Sequence, residues 1–148
     1  MRKTIYVGPG TKEFIERQQF GDDDSFSSSL GLALARYVSI LERHLPKFSE
    51  SEWAVIVGAL NGTWTSDPLS DLPIRFLADS VSDFIASGGA SDDVDGEALV
   101  GKLRDLDYAA KVAVVDAAER FWRASANSSD FAQTLRVIGV NVEQAGHA

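Results

Sequence analysis

The chain has no cysteine. That excludes disulfides, thiolate metal sites and cysteine nucleophiles, and leaves the compartment open. Its start, "MRKTIYVGPG", has no apolar core of the kind a secretory leader carries. Its longest apolar runs, such as "WAVIVGAL", are far too short to span a bilayer. A soluble, cytoplasmic protein is the expectation. Phosphate-cradling glycine motifs of the G-x-x-x-x-G-K-[ST] and G-x-G-x-x-G types are missing, and no serine sits in a G-x-S-x-G elbow. There are only two histidines, His44 and His147. His44 falls near the end of a helix, where an imidazole ordinarily complements the helix dipole. The expectation is a protein that is not an enzyme and holds no metal and no cofactor.

Positive charge is scarce, and it is unevenly placed. The 148 residues carry 14 Lys/Arg against 22 Asp/Glu, a net charge of −8. Residues 1–45 hold six basic and six acidic side chains, so the whole excess of negative charge falls on residues 46–148. A nucleic-acid binder needs a basic face, and only the N-terminal segment could supply one. At 45% hydrophobic and 24% charged residues the composition is that of a folded globular protein, not a disordered one.

What is present is mostly helical periodicity. Between Ser27 and Leu45, the residues Leu30, Leu34, Tyr37, Val38, Leu41 and Leu45 recur on one face of a helix that Pro46 stops. Ser49 and Glu52 then spell a capping box, with Phe48 and Trp53 placed to make the hydrophobic staple across the helix start. That helix is expected to end at Asn61-Gly62. A further helix fits 73–87 with Ile74, Leu77, Val81, Phe84 and Ile85 inward, closed by Gly88-Gly89. Residues 88–96, "GGASDDVDG", read as an acidic loop and the best candidate hinge. The carboxylates of 91–97 lack the twelve-residue spacing of a calcium loop, so a solvated loop is expected. Helices follow at about 96–106 with Leu99, Leu103 and Leu106 inward, and at 107–125 with Val112, Val115, Phe121 and Trp122. A last one fits 129–138, capped by Ser129, with Phe131, Leu135 and Ile138 inward. Trp53, Trp64 and Trp122 have no interleaved basic residues and read as core or interface side chains, not stacking platforms.

The opening stretch is different. Thr4-Ile5-Tyr6-Val7 is β-branched and aromatic and ends at Gly8-Pro9-Gly10, which predicts one short strand. A short helix fits 11–20, followed by the turn "GDDDS". A lone strand leaves its backbone groups unpaired, and pairing with the same strand of a second copy solves that. The order of basic strand, turn, short helix, turn and long amphipathic helix over residues 2–45 resembles the ribbon-helix-helix family of dimeric DNA-binding proteins, the Arc and Met repressors among them. The resemblance implies a mainly α protein. An N-terminal β-α-α module (1–45) would pair its strand across a homodimer, followed by a small acidic all-helical domain (46–148). It also implies that the ribbon enters the major groove of double-stranded DNA. Strand alternation puts Ile5 and Val7 toward the core and Arg2, Thr4 and Tyr6 toward the groove, with Lys3 near phosphate. By the same resemblance Ser25, Ser27 and Ser28, at the start of the long helix, would hold a phosphate. The function so implied is a transcriptional regulator or repressor whose C-terminal domain serves oligomerisation or binds a partner or effector. Asp22, Asp23 and Asp24 stand beside that phosphate contact, and with the acidic C-terminal part they favour an alternative: an acidic helical interaction module, adaptor or inhibitor, that binds a protein partner and no DNA.

Overall fold

The computed structural model describes residues 10, 13, 17, 26–62, 70–126 and 130–142. The chain divides into two compact units, 1–43 and 44–148. Among the described residues the chain forms helices α1 (Phe26–His44), α2 (Glu50–Ala59), α3 (Leu72–Arg75), α4 (Leu77–Ala86), α5 (Gly96–Arg104), α6 (Tyr108–Ser125) and α7 (Phe131–Val137). Residues 10, 13 and 17 are also helical. The protein is mainly α. Among the described residues there is no strand, and the strand expected at Thr4–Val7 lies outside them, so the β-α-α module has no support from the described backbone.

The second unit is built around α2. Trp53, Val55, Ile56 and Val57 are all buried, while Ala54 between them is exposed. A helix that buries most of its circumference belongs in the middle of a fold. α2 packs against α4 and α6, α4 lies along α5, and α6 carries α7 and touches α3. Leu77 and Val81, Leu99 and Leu103, Val114 and Leu135 meet in one core with it, each fully buried.

The junction before α2 follows its sequence signature closely. The Glu52 amide donates to Ser49 Oγ at 3.1 Å, and the Ser49 amide donates to Glu52 Oε1 at 2.9 Å. Two otherwise orphaned N–H groups are thereby satisfied. Phe48 and Trp53 meet edge to face at 5.2 Å, both wholly buried. Lys102 roofs them, its ammonium 4.3 Å from the Phe48 ring centre, and donates to the Lys47 carbonyl.

Other starts use aspartate. Asp95, Asp107 and Asp130 accept from the amides of Ala98, Ala110 and Gln133 at 3.1, 2.8 and 3.1 Å. The last of these corrects the expected cap at Ser129, since the helix begins one residue later, at Phe131. A carboxylate there also meets the positive end of the helix dipole. The helix expected at 73–87 is two pieces, because the backbone opens to φ −105° and ψ 22° at Phe76. Gly88, at φ +90°, ends α4 in the conformation a side chain resists.

The loop expected to be a hinge lies inside the second unit. Ser51 Oγ, on α2, donates to Asp93 at 2.5 Å, and Ser91 donates to the same carboxylate. These two hydroxyls, Ser51 first, hold the Asp93 carboxyl below its ordinary pKa. The loop is fastened to α2 and then caps α5 through Asp95.

Candidate functional site

α1 is the long amphipathic helix of the sequence, nineteen residues from Phe26 to His44. Its apolar stripe is not covered as a core stripe would be. Leu34 is 52% exposed, Val38 48% and Tyr37 44%, with Ile40 at 50% on the neighbouring edge. Only Leu41 of that stripe is buried, while Leu30 is half-buried. Leu45 leaves the stripe and packs against the core of the second unit. Leu34 and Val38 are one turn apart, so their methyl groups form one continuous apolar strip.

Of the residues expected to contact DNA, Arg2, Lys3, Thr4, Tyr6 and Ser25 lie outside the described residues. Ser27 and Ser28 sit in the first turn of α1 with exposed side chains. No acidic residue stands in that first turn. His44 closes the same helix, half-buried.

Clefts open among the described residues of the second unit. One, of about 320 Å³, lies among α2, α6 and α7 and is lined by Val57, Gly58, Phe121, Trp122, Phe131 and Thr134. Its polar groups serve the fold. The Trp122 indole donates to the Val57 carbonyl at 2.8 Å, Ser125 Oγ to the Trp122 carbonyl at 2.9 Å, and Thr134 Oγ1 to the Asp130 carbonyl at 2.8 Å. Trp122 is thus a structural tie between α6 and α2, and Trp53 is wholly buried, as expected of core aromatics. Another cleft, about 760 Å³, is an open groove between α4 and α5. Ile85, Val94 and Val100 line it, with Asp95 and Glu97 at one end and Arg104 at the other.

Among the described residues no three His, Asp or Glu side chains are placed to hold a metal ion, and no helix is long and apolar enough to cross a membrane. The Glu119 carboxyl, on α6, has a pKa raised above its ordinary value. Burial raises it, against the pull of Arg123, and Asp116 adds to the rise. Its neighbour Arg120 bridges Asp116 at 2.8 Å and donates to the Ile138 carbonyl, so this cluster fastens α6 to the end of α7.

No family model matches the chain, and no curated protein or solved structure matches it. The sequence signal for the exposed strip was the α1 periodicity itself. What periodicity does not tell is whether the strip is covered within the chain.

Proposed function

We propose that the protein is a homodimeric DNA-binding regulator of the ribbon-helix-helix type. Residues 1–43 pair with a second copy and contact double-stranded DNA, and the acidic unit 44–148 carries oligomerisation or the binding of a partner or effector. The observation that supports this is the strip of Leu34 and Val38 on α1, about half exposed in the single chain. Apolar strips of this kind on a soluble protein mark an interaction surface, and in the dimeric plan of that family a second copy covers it. The basic residues of the N-terminal segment, Arg2 and Lys3, are the side chains that would meet groove and phosphate. No acidic residue in the first turn of α1 opposes a phosphate at Ser27 and Ser28.

The test is a paired one. Leu34→Asp/Val38→Asp should abolish the dimer of the N-terminal unit and lower DNA affinity together, because a monomer presents only half of the ribbon. DNA affinity that survives loss of that dimer contradicts the proposal.

A second reading has its own support. The net charge of −8 falls wholly on residues 44–148, which suits an acidic interaction module that binds a basic protein partner and no DNA. In that reading the same variant loses the dimer, and neither form binds duplex at low salt.

A further inference from the structure

We infer that α5 forms a second self-association surface, where two copies pack antiparallel about a two-fold axis passing between Val100 and Gly101. The inference goes beyond the proposed function and does not depend on DNA binding.

Glu97, Val100, Gly101 and Arg104 recur at helical spacing and so share one face of α5. That face looks into the open groove between α4 and α5, with Leu99 and Leu103 turned away from it into the core. Glu97, Gly101 and Arg104 are exposed, and Val100 is half-buried.

Gly101 is the first clue. It stands in the middle of a nine-residue helix, and a Cβ there would meet nothing within 4 Å. Glycine is the poorest helix former after proline, and among the described residues no neighbour requires the missing side chain. By contrast, Gly58 and Gly96 are each backed closely by Phe84 or Ile85. A notch left open on an exposed helix face lets another backbone come close.

The second clue is the charge pattern. A two-fold interface sets residue i against j and j against i. Glu97 and Arg104 lie equally far on either side of the midpoint between Val100 and Gly101. An antiparallel copy therefore brings each Glu97 opposite the other copy's Arg104. The same operation seats each Val100 in the notch of the other copy's Gly101. One face thus supplies both the knob and the hole, and both signs of the charge. Arg104 is free to change partner, since its contact with Asp79 is 3.4 Å long and both side chains are more than 60% exposed.

Sedimentation equilibrium of the full chain tests this, first in the Leu34→Asp/Val38→Asp background, which removes the α1 contribution. The expected result is a concentration-dependent dimer. Glu97→Arg alone and Arg104→Glu alone each set like charges opposite one another twice, and each weakens association by about tenfold or more. Combined, they restore the pairs with signs exchanged and return association to within about threefold of the parent. Gly101→Gln fills the notch and abolishes association, while tryptophan fluorescence reports the second unit still folded. A parent that stays monomeric at micromolar concentration overturns the inference. So does a charge-exchanged double variant as weak as the single ones, or a folded Gly101→Gln protein that associates like the parent. Gly101→Gln in the chain with α1 intact should reduce the largest assembly to a dimer. An unchanged mass there overturns it equally.

Discussion

Gly58→Ala should destabilise the second unit, and Phe84→Leu should reverse the sign of that effect. Gly58 lies in α2, where alanine is intrinsically better than glycine by about 1 kcal/mol. In this fold the added methyl would sit 2.6 Å from Phe84 Cζ and 2.9 Å from Cε1, where ordinary contact needs roughly an ångström more. The ring cannot swing clear at no cost, because the same Cε1–Cζ edge also lies against Gly89. Overpacking of this kind costs about 1–3 kcal/mol. The net change is then about 0–2 kcal/mol of lost stability. Leucine at position 84 has no atoms where Cζ and Cε1 stand. In that background Gly58→Ala keeps only the helix gain and should stabilise by roughly 0.5–1 kcal/mol. The coupling between the two sites is therefore about 1–3 kcal/mol, well above what independent sites show. Urea unfolding followed by tryptophan fluorescence measures it. All three tryptophans lie in residues 44–148, so the signal reports that unit. The midpoint should move and the slope should not. An equal effect of Gly58→Ala in both backgrounds would refute the account of how α2 and α4 fit together.

Ser49→Ala removes the acceptor of the capping box and should cost about 1 kcal/mol in the same unfolding assay, and an unchanged midpoint would count against the cap. Leu135→Ala empties a fully buried position of α7 and should cost about 2–5 kcal/mol; a smaller loss would mean that α7 is not part of the cooperative core. Ser51→Ala removes the leading cause of the lowered Asp93 pKa, so the carboxyl should titrate closer to its ordinary value, with Ser91→Ala having a lesser effect in the same direction. A depressed carboxyl stabilises the fold above the ordinary carboxylate value of about 4 and loses that contribution as pH falls through the lowered one. The dependence of stability on pH should therefore flatten below about pH 4 in Ser51→Ala, and carbon-detected NMR titration of Asp93 checks the assignment.

Local rules carried much of this fold into the sequence. The box of Ser49 and Glu52 and the staple of Phe48 and Trp53 depend on four side chains within six residues, and all four stand where the spacing puts them. Leu77, Val81, Leu99, Leu103 and Leu135 were legible because helical repeat alone sets which side faces inward. The caps were harder. Asp107 and Asp130 are written in the sequence as plainly as Ser49, but each sits among other polar residues that could equally begin the helix. For α7, Ser129 and Asp130 are adjacent candidates, and the carboxylate is the one that reaches the Gln133 amide. The alanine face of α6, with Ala113, Ala117 and Ala118 buried beside Val114 and Val115, was hidden for another reason. Small side chains give a weak hydrophobic pattern, yet they allow close helix approach and bury completely. The groove between α4 and α5 and the exposure of Leu34 and Val38 were not legible at all. Both depend on which elements are neighbours, and one helix's periodicity holds no record of that.

The proposed function stands most directly on whether this acidic chain binds duplex DNA through its N-terminal segment. Fluorescence anisotropy of a labelled random duplex, titrated with the full chain from low to physiological salt, is the measurement. The account predicts binding at low salt that weakens linearly on a log–log scale as counterions are released, with Arg2→Ala and Lys3→Ala each lowering the slope by about one. Ser27→Ala, at the start of α1, should weaken binding without altering the tryptophan-reported stability of residues 44–148. No binding at low salt, or binding whose salt slope is indifferent to Arg2 and Lys3, would contradict the regulator account and leave the acidic interaction module in its place.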